Sequence, residues 1–204
     1  MFNKIISIFT ILIALSIQSQ AIKEKNIQQE IESSIKDIQN ISLNKTIDKS
    51  IKFEQISKII DKFFDYKLIS RLTLGKRYIK LSKKEKIDFQ NAFTNNLKKT
   101  YINTLLSYKK GKILIDKTEK IKSTRIILYT KFIQDTSKYE VNYKLYKKKK
   151  RDKWKIYDVD IMGVSFVKTY KNQFSQFLKS KNIKDLIIKL NNLKDNEHKN
   201  KDKK

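Results

Sequence analysis

At 204 residues, with 39% hydrophobic and 11% aromatic content, the chain can bury one sizeable core, and it is too apolar for a disordered protein despite 33% charged residues. The absence of cysteine excludes disulfides and thiolate metal sites. The formal charge is +26, yet among 47 basic residues only Arg71, Arg77, Arg125 and Arg151 are arginines; with no proline and three glycines, this composition fits an AT-rich, codon-biased genome as well as an anion-binding surface.

The N-terminus reads as an export signal. Lys4 precedes an uncharged apolar run over 5–17, and Ser19 and Ala21 place small residues where a signal peptidase reads them. The run is too short to span a bilayer core of ~30 Å comfortably. A Sec signal peptide over 1–21 is therefore expected, with cleavage after Ala21 removing one lysine and leaving a soluble exported chain.

Four isoleucines, Ile27, Ile31, Ile35 and Ile38, recur at helical spacing and predict an amphipathic helix over 23–41. Two shorter helices are expected over 53–65 and 66–75, the second closed by Gly75. Ser82 and Glu85 form a capping box at the start of the strongest element, a helix over 83–109. Phe89, Phe93, Leu97, Tyr101, Leu105 and Tyr108 form a stripe along it, whose ordinary meaning is core.

After Gly111 the period shortens to two, predicting strands over 112–117, 124–134, 139–147 and 153–162. Short turns at 135–138 and 147–152 make the sheet antiparallel and twisted. The second strand is apolar on both faces and belongs inside the sheet, while Tyr139, Val141, Tyr143 and Leu145 point one way on the third. Helices over 164–180 and 183–193 follow, then a polar, lysine-rich tail over 194–204 expected to be disordered. The class is α+β: a twisted antiparallel sheet of about four strands wrapped by amphipathic helices.

Catalytic chemistry is scarce. The single histidine, His198, lies in the tail. Ser165 has one flanking glycine and no histidine to activate it, so it reads as a helix cap rather than a nucleophile. Asp158 and Asp160 share a strand face and would suit a divalent ion, but in a lysine-rich chain they read first as a salt-bridged face. No glycine-rich phosphate loop is present. An enzyme is not expected. Nucleic acid is not expected either, because lysines spread over every element lack the arginine fork that reads phosphates and bases. The cluster KKKKR at 147–151 is either a solvated turn or a contact for anionic headgroups.

The segment WKIYDVDIMGVSFVKTYKNQF (154–174) and the following KNIKDLIIKL resemble the MlaC family, also called the toluene-tolerance auxiliary family. Trp154, Tyr157, Asp158, Ile161, Gly163, Val164, Ser165, Val167, Tyr170, Gln173 and Phe174 match its signature. Upstream, Asp65, Ser70, Leu74, Gly75 and Tyr78 match a second motif, and Phe89 and Phe93 a third, so the likeness spans about 45–193. Met162, Lys171 and Asn182 depart from a usual Glu, Arg and Gly.

The resemblance implies an NTF2-like fold enclosing an apolar lipid cavity, and a domain over 22–193. It implies a periplasmic phospholipid carrier that exchanges lipid with an inner-membrane MCE-domain ABC transporter and an outer-membrane lipoprotein–porin complex, maintaining outer-membrane lipid asymmetry. Bound phospholipid would be cargo; no cofactor and no metal are expected. The cavity candidates are Phe89, Phe93, Leu97, Tyr101 and Leu105 of the long helix, Val141, Tyr143, Val159 and Ile161 of the strands, and Val164, Val167 and Phe174 beyond Gly163. The competing reading is a non-transporting envelope module with a filled core, docking on anionic membrane or an envelope protein.

Overall fold

The computed structural model describes residues 27–107, 112–134, 136–148 and 153–192. The signal segment 1–21, the tail 194–204, residues 149–152 of the basic turn and Tyr108 lie outside them. The chain divides into two compact units, Met1–Asp37 and Ile38–Lys204. Helix α1 covers 27–43 and crosses that boundary; the remaining elements belong to the second unit.

Helix α2 (Lys49–Asp61) lies a turn earlier than its apolar spacing suggested. Helix α3 (Tyr66–Leu74) starts at Asp65, whose carboxylate accepts from the Leu68 N–H at 2.9 Å, the usual role of an N-cap aspartate. It ends at Gly75, which takes φ 56° and ψ −132°, a conformation essentially restricted to glycine. That sharp corner launches a five-residue helix, α4 (Lys76–Lys80), which the sequence did not announce. Helix α5 (Lys83–Ser107) opens with the expected capping box: the Glu85 N–H donates to Ser82 Oγ at 3.2 Å and the Ser82 N–H donates to Glu85 Oε2 at 2.9 Å.

The sheet is a five-stranded antiparallel meander in the order β1 (Lys112–Lys122), β2 (Arg125–Gln134), β3 (Ser137–Lys148), β4 (Lys153–Ile161) and β5 (Val164–Ser165). The four expected strands are present, and β2 is interior as its two-sided apolar pattern required. The fifth, a two-residue strand, closes a tight hairpin in which Ile161 pairs with Val164. Both turn residues, Met162 and Gly163, have positive φ (51° and 80°), as a two-residue type I′ hairpin demands. The other end of β4 is also covered: the Ile156 N–H donates to the Phe63 carbonyl at 2.8 Å and the Asp65 N–H to the Ile156 carbonyl at 3.0 Å. The linker between α2 and α3 thus satisfies an edge that would otherwise be open to pairing. Helices α6 (Phe166–Phe177) and α7 (Ile183–Asn192) complete the chain.

Two apolar regions result. One is a helical core in which Phe89, Phe93 and Leu97 of α5 join Ile69 and Leu74 of α3, Val167 and Phe174 of α6 and Leu186 and Leu190 of α7. The other is one face of the sheet, where Ile126, Leu128, Leu145 and Ile156 are almost wholly buried.

Candidate functional site

Register places the four strand candidates together. Val141 pairs with Ile161 and Tyr143 with Val159, so the four side chains form one block on a single face. Across β2 the same face continues through Leu128 (opposite Tyr143), Thr130 (opposite Val141) and Phe132 (opposite Tyr139), and across β5 through Val164, opposite Ile161. The alternation expected of β3, with Tyr139, Val141, Tyr143 and Leu145 on one side, is what the pairing shows.

Burial along this face is graded. Near the β1–β2 turn, Ile126 and Leu145 are closed off at 2% and 1% exposure. In the middle of the sheet Val141, Tyr143 and Val159 of β3 and β4 are half-buried, while Leu128 and Thr130 opposite them on β2 stay closed at 1% and 2%. At the far end Tyr139, Ile161 and Val164 are 43%, 40% and 60% exposed. An apolar face packed evenly by helices would not open in this way. Tyr143 has strands on both sides, and burial pushes its phenol up to about 12.

Helices supply a second wall. Tyr101 of α5 packs edge-on against Phe166 at 5.5 Å between ring centroids, directly after β5, and Phe166 in turn lies 4.6 Å from Tyr170. Burial, reinforced by the neighbouring Tyr170 hydroxyl, raises the Tyr101 phenol well above its ordinary value. The rings continue inward: Tyr170 meets Phe93 at 5.0 Å, and Phe93 meets Phe174 at 5.1 Å. This ladder runs from the open end of the sheet into the helical core.

The twelve sequence-derived candidates therefore fall into two groups. Phe89, Phe93, Leu97, Val167 and Phe174 are tightly buried members of the helical core. Val141, Tyr143, Val159, Ile161 and Val164 line the opening face, and Tyr101 and the half-buried Leu105 stand on the outer half of α5. Phe132 and Tyr139 share the opening face, and Phe166 joins Tyr101 to the helical core; none of the three was a cavity candidate from the sequence. A helix expected from 164 puts Phe166 inside its first turn, whereas the helix begins only at Phe166 itself.

The polar residues of the signature fasten this architecture. The Asp158 carboxylate accepts from the Ser165 hydroxyl (2.8 Å), the Val167 N–H (3.0 Å) and Lys144 Nζ (3.0 Å), while Asp160 lies 3.8 Å from the same ammonium. The aspartate pair is thus a salt-bridged face, and its first member ties β4 to the N-terminus of α6, where a negative charge complements the helix dipole. Ser165 accepts from the Lys168 N–H at 3.2 Å and caps α6. At the closed end of the sheet, Asp65 accepts from the Tyr146 hydroxyl at 2.5 Å, and the Arg125 guanidinium lies 4.5 Å over the Tyr157 ring. A separate cavity of about 260 Å³ lies between α3, α4 and α6, bordered by Gly75, Lys76, Arg77, Lys171 and Phe174. It shares only Phe174 with the predicted set, and is smaller than the ~300–1,000 Å³ pockets that take drug-sized ligands.

A family profile described as MlaC protein matches residues 28–192. The chain belongs to the MlaC family. Among solved structures, the phospholipid-binding protein from Ralstonia solanacearum, determined in complex with a phospholipid, superposes with a TM-score of 0.67. It is 18% identical, and the match covers 80% of this chain and 93% of that one. At that identity the likeness establishes a shared fold. No curated protein matches the sequence at a significant level. The MlaC profile spans every element from α1 to α7, so sheet, ladder and hairpin all fall within the family's common domain.

Proposed function

We propose that this MlaC protein is an exported, periplasmic phospholipid carrier that holds the acyl chains of its cargo against the open apolar sheet face. The observation carrying this reading is the gradient on that face, closed at Ile126 and Leu145 and open at Ile161 and Val164. A wall of this kind suits the problem such a protein faces. Two acyl chains expose about 30 methylenes, so bare transfer through water costs more than ~20 kcal/mol at ~0.8 kcal/mol per methylene. An apolar recess with few polar anchors offsets most of that cost without holding the lipid more tightly than a membrane would. The Ralstonia protein, with the same fold, was crystallised holding a phospholipid.

In this reading the lipid is exchanged with an inner-membrane MCE-domain ABC transporter and an outer-membrane lipoprotein–porin complex. Energy comes from the transporter, and the carrier performs no catalysis. Export rests on the signal-like segment at 1–21.

The test is native mass spectrometry of residues 22–204 purified from a bacterial periplasm, with extraction of whatever co-purifies. Phospholipid at close to one per chain is expected. An apo mass with no uptake from added vesicles would overturn the carrier and leave a filled-core envelope module.

A further inference from the structure

The β4–β5 hairpin carries a residue that does not suit it. Both positions of a type I′ turn need positive φ, which favours Asn or Asp followed by Gly. This chain has Met162 at the first position, at φ 51°, a conformation uncommon for any residue other than glycine and far more often occupied by asparagine or aspartate. Met162 is 56% exposed, so little burial compensates the strain. Met162 is nevertheless fixed in place: its N–H donates to the Glu140 carbonyl at 3.0 Å, and the Glu140 N–H donates to its sulfur at 3.2 Å. An apolar side chain held at the tip of a turn, at a conformational cost and open to solvent, is a local outlier that points to function.

Its surroundings extend the feature. Ile161 and Val164 flank the turn and Tyr139 stands on the adjacent strand end, all of them exposed. These four apolar side chains form the outer lip of the open sheet face. In sequence the exposed Lys138 lies two residues before Glu140 and the exposed Lys168 three residues after Ser165, with Glu140 and Asp160 the acids at the hairpin, in a chain whose formal charge is +26. Exposed apolar residues at the turn of a strongly basic protein match the chemistry of an anionic bilayer surface, where rings and thioethers enter the acyl boundary and ammonium groups stay with the headgroups.

We infer that the Met162–Gly163 hairpin tip is a membrane-docking surface that seats this protein on anionic phospholipid bilayers, with the open end of its apolar face towards the lipid. The inference goes beyond the carrier reading and does not require it. Methionine at the tip sacrifices local stability for contact with the bilayer.

The experiment is vesicle co-sedimentation of residues 22–204 at low salt, using phosphatidylcholine vesicles with and without one quarter phosphatidylglycerol. The wild type is expected to bind the anionic vesicles and to release as salt rises. Met162→Asp and Met162→Asn should bind at least tenfold more weakly. Met162→Asn should also melt at a higher temperature than the wild type, because asparagine tolerates the positive φ, so lost binding cannot be assigned to misfolding. Ile79→Asp, which changes an isoleucine 76% exposed on α4, should bind as the wild type does. Equal binding by the Met162 variants and the wild type, or no binding of the wild type to anionic vesicles, overturns the inference; the second result would make the tip a protein contact. Native masses of Met162→Asp separate the two ideas. Retained cargo with lost docking supports both, whereas tip-dependent docking by a chain that carries no lipid removes the carrier and keeps the tip.

Discussion

Gly163 has the geometry that makes a single residue decisive. Its φ is +80°, and a Cβ built at that position meets nothing within 4 Å. Of the two structural roles open to it, a positive-φ hinge and a point of close packing, only the hinge survives. The cost of a side chain here is therefore backbone strain without steric clash. Gly163→Val should lower unfolding stability by about 1–2 kcal/mol, the usual penalty for forcing a β-branched residue into left-handed backbone. Urea unfolding measures it, and an unchanged midpoint would mean that the turn relaxes freely. Gly75 differs: a Cβ there would come 3.4 Å from Cε of Lys171, a flexible chain end, so conformation again dominates over crowding.

At the scale of elements, the joint between β4 and α6 depends on one carboxylate. Asp158 is 6% exposed and accepts three hydrogen bonds, from a hydroxyl, a helix N–H and an ammonium. Removing it leaves Lys144 with only the longer 3.8 Å pairing to Asp160 and the Val167 N–H without its acceptor, and breaking a buried pair from one side costs about 3–5 kcal/mol. Lys144 keeps some access to water, so Asp158→Ala is expected near the lower end, at about 3 kcal/mol. Asp158→Asn retains an acceptor for the helix and should recover roughly half of this by the measured value of a hydrogen bond. Equal losses in the two variants, read from urea unfolding, would show that the charge alone holds the joint. Asp158 and Ser165 thus serve architecture, one holding the helix to the strand and the other capping it. Helix α5 shows the opposite case, a single element divided between tasks. Its inner half, with Phe89 and Phe93 fully buried, belongs to the helical core, while its outer half carries Tyr101, 38% exposed, to the open end of the sheet.

For the whole molecule, the question is whether apolar volume remains over the sheet, and a small-to-large substitution separates the two answers. In a close-packed core, Val159→Phe overpacks and costs about 1–3 kcal/mol. In a recess it is accommodated at little cost and takes the space of cargo. The expected result is a melting temperature within a degree or two of the wild type, together with a several-fold fall in the lipid-bound fraction seen by native mass spectrometry. A marked loss of stability with unchanged occupancy would place Val159 in solid core and move the lipid elsewhere.

The sequence by itself determined the class, the element order and most of the strand faces. Period-two alternation fixes which side chains share a face, so Tyr139, Val141, Tyr143 and Leu145 were legible together. Capping chemistry is equally local, which is why Ser82, Glu85 and Ser165 were read correctly. Short elements lacked enough periods to announce themselves: α4 spans five residues and β5 two, and each arises from a backbone corner, at Gly75 and at Met162–Gly163. What only the tertiary structure decided is how apolar stripes divide between core and wall. Phe93 and Tyr101 occupy the same stripe of the same helix, two turns apart, and nothing in helical periodicity separates them. Phe93 is enclosed because α6 crosses it with the Tyr170 and Phe174 rings, whereas Tyr101 meets only the first turns of that helix, at the Phe166 ring and the Tyr170 hydroxyl. Burial is a property of what lies opposite, and what lies opposite is set by contacts distant in the chain.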